Sequence, residues 1–273
     1  MNPTDSGPLL SVVIPVRDEE ESIPVLGREM AGALDEAGLA WEAVWVDDGS
    51  RDGSAGELAC LAAADPRHRW LRLAAHQGKA AALAAGFEAA RGELIATLDG
   101  DLQNDPHDLP LMVALLQSSA VDVVIGVRTE RKDPLVRRVS SRIGNRFRDL
   151  VTGDHVTDVG CGVRVFRARF ARGIPTFAGM HRFLPTLMRL RGARVREIPV
   201  RHRPRVYGRA KYGIINRFAA GIVDTLGVLW LRLRWTEPRV DERSPVPPPE
   251  ALEPDADPKA SEPDADPRSE KEG

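Results

Sequence analysis

Short apolar runs alternate with longer segments of helical period in the first half of the chain. The runs are rich in β-branched and aromatic residues, which favours strands. Predicted strands are Leu10–Val16, Trp41–Asp47, Trp70–Ala74, Leu94–Leu98 and Val121–Val127. Predicted helices between them are Glu20–Ala37, Ser54–Ala64, Lys79–Ala90 and Asp108–Ser118. This alternation indicates an α/β fold, with a mostly parallel central sheet covered by helices on both faces.

The second half of the chain has a less regular pattern. Val159–Phe166 and Arg194–Val200 predict two more strands, and Pro134–Leu150 predicts a helix with arginines along one edge of its apolar face. In Ile214–Leu233, apolar residues recur at helical spacing while Asp224 lies on the opposite side. This pattern predicts a C-terminal amphipathic helix, which either packs on the core or lies on a membrane surface.

Composition separates one folded domain from its two ends. Residues 9–235 predict a single domain, whereas residues 1–8 predict a flexible N-terminus. Segment 236–273 is rich in proline, repeats EPDADP, and contains 12 acidic and 5 basic residues. It cannot bury enough apolar surface to fold, so we expect a disordered acidic tail. Residues 1–235 carry a net charge of +5, which suits an anionic ligand or surface.

Targeting and redox features favour a cytosolic protein that contacts the membrane at most. The N-terminus MNPTDSGPLL has neither the basic region nor the apolar run of a signal peptide. No segment reaches the ~18 uncharged apolar residues that a transmembrane helix needs. The two cysteines, Cys60 and Cys161, do not indicate a disulfide-stapled secreted domain.

Acidic residues follow three predicted strands, in the segments IPVRDEEESI, VDDGSRDGS and LDGDLQNDP. The carboxyl ends of parallel strands meet at one edge of the sheet, where ligands bind. Crowded carboxylates repel one another unless a cation is present, and hard divalent ions prefer oxygen ligands. Each segment alone suits an ordinary turn, but together they favour a cation site, with Asp99 and Asp101 flanking Gly100. Asp105, before Pro106, is more typical of a helix cap.

Lys79 opens the third predicted helix directly after Gly78, without the spacing of a Walker P-loop. A helix N-terminus with a lysine can hold an anion. A solvated lysine in the first turn is equally compatible with the spacing.

Four segments, in order, resemble glycosyltransferase family 2: SVVIPVRDEEESI, VDDGSRDGS, GKAAALAAGFEAARGELIATLDGDLQNDP and EIPVRHRPRVYGRAKYG. The resemblance covers roughly residues 9–235 and is strongest to the polyprenyl-phosphate branch, such as dolichol-phosphate mannosyltransferases and undecaprenyl-phosphate sugar transferases. It implies a GT-A (Rossmann-like) fold, with a donor half at about 9–128 and an acceptor half at about 129–235. It also implies a nucleotide-diphosphate sugar donor (GDP-mannose or a UDP-sugar), Mg²⁺ or Mn²⁺, and inversion at the anomeric carbon.

The resemblance also implies roles for individual positions. The metal would be held by Asp99, Asp101 and Gln103. Donor-nucleotide binding would involve Pro15, Arg17, Glu19, Asp47, Asp48, Ser50, Lys79, Asp99 and Gln103. The acceptor phosphate would be held by Arg128, Arg138, Ser141 and Arg205. The implied catalytic set is Asp101, Asp158, Arg128, Arg205 and Lys211, the last two in a loop that closes over both phosphates.

The acceptor decides whether the enzyme needs a base. A hydroxyl acceptor needs one, whereas a phosphate oxygen is already anionic near pH 7 and needs cations instead. Arginines are abundant in the second half, which favours transfer of a hexose to polyprenyl phosphate at the cytosolic face of the membrane. Asp158 either orients an arginine, assists the acceptor, acts as a base or caps a turn.

Two other functions remain open. One is a family 2 transferase that acts on a saccharide hydroxyl, with Asp158 as its base. The other is a non-catalytic protein that binds nucleotide sugars. Nucleic-acid binding is disfavoured, because the basic residues lack interleaved aromatics and only 5% of the chain is aromatic.

Overall fold

The computed structural model describes residues 7–128, 153, 156–207 and 215–236, with the side chains of 215–220 left out. Several predictions lie outside the described residues. They are residues 1–6 of the N-terminus predicted at 1–8, the helix Pro134–Leu150, the acceptor residues Arg138 and Ser141, the loop residue Lys211, and residues 237–273 of the tail predicted at 236–273.

A seven-stranded sheet forms the centre of the described part of the chain. Its strands are β1 (Leu10–Val16), β2 (Trp41–Asp47), β3 (His68–Arg72), β4 (Leu94–Thr97), β5 (Val123–Arg128), β6 (Arg164–Arg167) and β7 (Val195–Val200). The strand order is β3-β2-β1-β4-β6-β5-β7. Strand β6 is antiparallel to β4 and β5, and all other neighbours are parallel. The predicted mostly parallel sheet is confirmed.

Six α-helices accompany the sheet in the described residues. They are α1 (Ile23–Glu36), α2 (Ser54–Ala64), α3 (Lys79–Ala89), α4 (Leu109–Ser118), α5 (Leu184–Leu190) and α6 (Ile215–Arg234). Apolar clusters line both faces of the sheet, because neighbouring β1 residues point to opposite sides. Ile14 joins the cluster that contains α1 and α4, whereas Val13 joins the cluster that contains α3 and α5. The prediction of helices on both faces is therefore confirmed.

The predicted strand Val159–Phe166 is too long, because the observed β6 begins only at Arg164. Two glycines before β6 lie against two side chains of the candidate site. A Cβ on Gly162 would lie 2.5 Å from the Asp99 carboxylate, and one on Gly160 would lie 2.8 Å from the Arg128 guanidinium. The backbone there passes too close to both side chains for larger residues.

One edge of the sheet collects the carboxyl ends of β1, β2, β4, β5 and β7, since these strands run in the same direction. Strand β6 starts at this edge because it is antiparallel. The loops that leave this edge carry the candidate site, as expected for an open α/β sheet.

Candidate active site

The loops that follow β1 and β2 are joined by hydrogen bonds. Asp18 adopts a left-handed conformation (φ 49°), and its N–H donates to Ser50 Oγ over 3.0 Å. The N–H of Glu19 donates to Ser54 Oγ over 2.9 Å. The predicted donor residues Arg17, Glu19 and Ser50 therefore lie on two loops that hold each other in place, just beyond Pro15 in β1.

Both aspartates at the end of β2 are buried and bonded. Asp47 accepts from the backbone N–H of Ser50 over 2.8 Å and lies 3.3 Å from Arg72 Nε. Asp48 accepts from the backbone N–H of Gln77 over 2.7 Å. The sequence predicted both aspartates at the donor, but not that Asp48 orders the loop before α3, because that contact joins residues far apart in the chain.

Lys79 forms an ion pair with Asp99. Helix α3 starts directly after Gly78, whose φ of 93° favours glycine. Burial opposes ionisation of Asp99, but the charge and hydrogen bond of Lys79 outweigh it and lower the pKa of the carboxyl. Lys79 is therefore held at the acidic turn after β4 and does not point freely into solvent.

Asp101 faces a second cation. Arg205 NH2 donates to Asp101 Oδ2 over 2.5 Å, and Arg205 NH1 lies 3.8 Å from Glu19 Oε1. Leu102 has a φ of 61°, and this turn lets the backbone N–H of Gln103 donate to Asp101 Oδ1 over 3.3 Å. Arg205 thus connects the second half of the chain to both acidic loops of the first half.

The donor set fits a hard divalent cation. Asp99 and Asp101 offer carboxylate oxygens and Gln103 offers an amide oxygen, the ligand types that Mg²⁺ and Mn²⁺ accept. Within the described residues, no group of three or more His, Cys, Asp or Glu side chains could hold a metal ion by itself. Such a site therefore needs further ligands, and substrate phosphates commonly provide them.

Arg128, the last residue of β5, is paired with Asp158. Its Nε and NH2 donate to the two carboxylate oxygens over 2.7 and 2.8 Å. The backbone N–H of Gly160 also donates to Asp158, over 3.2 Å, and Asp158 is only 1% exposed. This bidentate geometry fixes the guanidinium plane. Among the roles open to Asp158, the geometry favours orientation of an arginine over proton acceptance.

Asp105 caps the 3₁₀ turn Pro106–Asp108, which confirms the cap prediction. Its carboxylate accepts from the backbone N–H of His107 over 3.1 Å and lies 3.2 Å from Arg201 and 3.0 Å from Arg203. Burial opposes ionisation, but the bonds from His107 and Arg203 lower the pKa of Asp105 to about 2. Asp105 thus ties the segment after β7 to the acidic turn.

Two side chains at this edge, one buried and one partly buried, were not predicted from the sequence. Arg164 lies at the start of β6 and is 2% exposed. His181, in the 3₁₀ turn Met180–Arg182, is partly buried, and desolvation together with the charges of Lys79 and Arg164 lowers its pKa to about 3. A lone arginine in GVRVF and a lone histidine in GMHRF give no periodic or motif signal, because only packing brings them to the site.

The sheet order, the helices on both faces and the acidic turn after β4 define a GT-A type of α/β domain. The family model described as glycosyl transferase family 2 matches residues 11–174, and the chain belongs to this family.

Two curated relatives are similar over most of the chain. A dodecaprenyl-phosphate galacturonate synthase from Rhizobium johnstonii is 36% identical over 225 residues, 81% of this chain and 66% of the relative. An undecaprenyl-phosphate 4-deoxy-4-formamido-L-arabinose transferase from Salmonella paratyphi A is 40% identical over 219 residues, 78% of this chain and 65% of the relative. The chain thus spans slightly less than two thirds of the length of these relatives.

Solved structures support the fold. A glucosyl-3-phosphoglycerate synthase from Mycobacterium tuberculosis, in complex with Mg²⁺ and UDP, has a TM-score of 0.62 at 17% identity, with 85% of this chain and 81% of that chain covered. A complex of the same enzyme with Mn²⁺, UDP and glucosyl-3-phosphoglycerate has a TM-score of 0.60 at 18% identity, with coverage of 85% and 82%. At this identity the similarity concerns the fold alone.

Proposed function

We propose that this protein transfers a hexose from a nucleoside-diphosphate sugar to a polyprenyl phosphate, with Mg²⁺ or Mn²⁺ and with inversion at the anomeric carbon. The observation that carries the proposal is the bidentate pair of Arg128 and Asp158 next to the acidic turn. In this pair, Asp158 holds the Arg128 guanidinium in a fixed orientation, and the guanidinium can bind an anionic acceptor. An enzyme that acts on a hydroxyl acceptor would need a free carboxylate as its base. Relatives named for undecaprenyl or dodecaprenyl phosphate support the same acceptor class.

The donor is proposed to lie across the loops after β1, β2 and β4. Its base and ribose would contact Asp47, Asp48 and Ser50, and its diphosphate would meet Lys79 and Arg205. Asp99, Asp101 and Gln103 would hold the divalent ion, whose charge stabilises the leaving diphosphate when both are bound.

The transfer itself requires no proton removal. One oxygen of the acceptor phosphate forms a bond to the anomeric carbon, while the bond from that carbon to the nucleoside diphosphate breaks. The acceptor oxygen is already anionic near pH 7, so a general base is unnecessary. Arg128 is proposed to position the acceptor phosphate on the side opposite the leaving group, which inverts the anomeric configuration.

A lipid acceptor requires contact with a membrane, and α6 offers a suitable surface. Its outward residues Val223, Leu226, Trp230 and Leu233 are exposed, whereas Val228 is buried against the domain. Arg232 and Arg234 follow at the helix end. In the described residues, no helix has both the length and the apolar character needed to cross a bilayer. We propose that α6 lies on the cytosolic face of the membrane.

One screen tests the proposed reaction. Purified protein is incubated with UDP- or GDP-sugars, Mn²⁺ and a short-chain polyprenyl phosphate, and the lipid product is identified by mass spectrometry. We expect one donor to give a glycosyl phospholipid, whose anomeric configuration is then read by NMR. Transfer to a saccharide hydroxyl but not to the lipid would favour the alternative acceptor. Nucleotide-sugar binding without transfer to either acceptor would favour a non-catalytic protein.

A further inference from the structure

Arg164 carries a positive charge that is buried without a carboxylate partner in the described part of the chain. The residue is 2% exposed at the start of β6. NH2 donates to the backbone oxygen of Val159 over 3.1 Å, and Nε has no hydrogen-bond partner among the described residues. Burial of an unpaired charge costs free energy of folding, which suggests that the charge of Arg164 contributes to function.

The position of Arg164 in the sheet places it between the two halves of the site. In the register, Arg164 lies opposite Thr97 of β4 and Ile125 of β5, the strands that lead to Asp99 and Arg128. The short segment before Arg164 contacts both side chains, since Gly162 lies against Asp99 and Gly160 against Arg128. Arg164 therefore lies between the strand that leads to the candidate metal turn and the strand that leads to the candidate acceptor pair.

The other cations of the site already have partners. Lys79 is paired with Asp99, Arg128 with Asp158, and Arg205 with Asp101. His181 adds no charge near neutral pH, because burial and the surrounding cations lower its pKa to about 3. Among these cations, Arg164 is thus the one without a carboxylate partner in the described residues.

We propose that Arg164 is a positioning residue for both halves of the site. Its charge attracts the carboxylates of Asp99 and Asp158 from beneath and keeps them in place when ligands draw Lys79 and Arg128 toward phosphates. Arg164 acts through its neighbours and does not touch the substrates. The inference rests on the proposed function and deepens it.

Calorimetric titration of the full chain with UDP and GDP, in the presence of Mn²⁺, tests the inference without turnover. The variant Arg164→Met removes the charge but keeps an unbranched side chain, and we expect at least about tenfold weaker binding. Arg164→Lys retains the charge, and we expect affinity within about threefold of the unchanged protein. The control Arg69→Met removes a cation paired with buried Glu42 at the opposite edge of the sheet, and nucleotide affinity should stay unchanged.

A purely structural role for Arg164 predicts a different result. In that case Arg164→Met would lower the melting temperature, as we expect of Arg69→Met, but would bind the nucleotide normally, which would overturn the inference. If Arg164→Met does not fold, Arg164→Lys decides: retained affinity supports the charge role, and a tenfold loss contradicts it. If the unchanged protein binds neither UDP nor GDP, the proposed function itself fails, which is distinguishable from a loss confined to Arg164 variants.

Discussion

Asp99 and Asp101 show how one intervening glycine gives two carboxylates different surroundings. Asp99 turns inward, packs on Gly162 and pairs with Lys79. Asp101 turns toward Arg205 and accepts the N–H of Gln103. In the proposed diphosphate site, Asp99 is thus paired with a cation of the first half of the chain, and Asp101 with a cation of the second.

Asp101→Asn should lower kcat/KM at least about a hundredfold, because the amide keeps the size but not the charge that the cation requires. Mn²⁺ titration of initial rates measures the effect. The control is Asp65→Asn, since Asp65 pairs with Arg67 between α2 and β3, away from the acidic turn, and its loss should leave most turnover. Full activity of Asp101→Asn in EDTA would show that the assigned metal role is wrong.

Arg128→Ala should raise the KM for lipid phosphate at least about tenfold and change the KM for the donor by less than about twofold. The reason is that Arg128 is proposed to contact the acceptor phosphate, and charge-assisted bonds to phosphate are strong. Steady-state kinetics with each substrate varied separately measures both constants. Arg201→Ala is the control, because Arg201 contacts Asp105 and Asp108 instead of the acceptor pair. Weakening of donor binding alone would refute the acceptor assignment.

Candidate site residues could be predicted from the sequence where they directly follow an apolar run that marks the end of a strand. Asp47, Asp99 and Asp101 follow apolar runs, and Asp105 precedes a proline, so local pattern is sufficient for these positions. It is insufficient for Arg164, whose burial depends on packing between strands, and for Asp158, whose partner lies 30 residues away. Pairing across such distances depends on the tertiary fold, which residue spacing alone does not specify.

At the scale of elements, the acidic turn after β4 is attached to the segment after β7. Asn104 forms an antiparallel bridge with His202, and the N–H of Arg203 donates to the oxygen of Gln103 over 2.8 Å. Asp105 adds ion pairs to Arg201 and Arg203. Together these contacts position Arg205 near Asp101. Loss of Asp105 should therefore weaken the contact between Arg205 and Asp101.

Asp105→Asn should destabilise the protein by about 2 kcal/mol at pH 7, because the pKa of Asp105 is about 2 in the folded protein against 3.8 ordinarily. A lowered pKa stabilises the fold above pH 3.8, and this contribution disappears as the pH falls through 2. Urea unfolding at pH 7 and pH 3 measures the change.

The control for this pH effect is Asp108→Asn in the same turn. Burial raises the pKa of Asp108, so its charge is not stabilising and the substitution should cost less at pH 7 than at pH 3. A destabilisation by Asp105→Asn that is equally large at both pH values would show that its ion pairs are not responsible.

The limits and directions of the strands were predicted only in part from the sequence. Strands β1 and β2 match their predicted limits, because fully buried strands read as continuous apolar runs. The antiparallel direction of β6 was not predictable, since VGCGVRVF has the same alternation in either direction. Helix α5 escaped prediction because its seven residues are too short to show a helical period.

At the scale of the whole molecule, α6 is the helix that we propose to lie on the membrane, and an ion pair attaches it to the domain. Asp224 on its inner side pairs with Arg182 over 2.5 Å, and Arg182 follows His181 in the chain. The acidic residue of α6 is thus turned toward the domain, and the apolar residues 222, 223, 226, 230 and 233 are exposed. A helix with this distribution can lie on an anionic bilayer while its inner side stays attached to the domain through Arg182.

Flotation with vesicles tests this arrangement. The unchanged protein should float with vesicles that contain phosphatidylglycerol, and Leu226→Asp should reduce the bound fraction about tenfold, because a buried leucine contributes roughly 1.5–3 kcal/mol. Leu111→Asp is the matched control, since Leu111 on α4 is 58% exposed and Leu226 is 51% exposed. Both variants should retain activity on a short, water-dispersed acceptor, which separates docking from catalysis. Equal loss of binding in both variants, or no flotation of the unchanged protein, would contradict docking through α6.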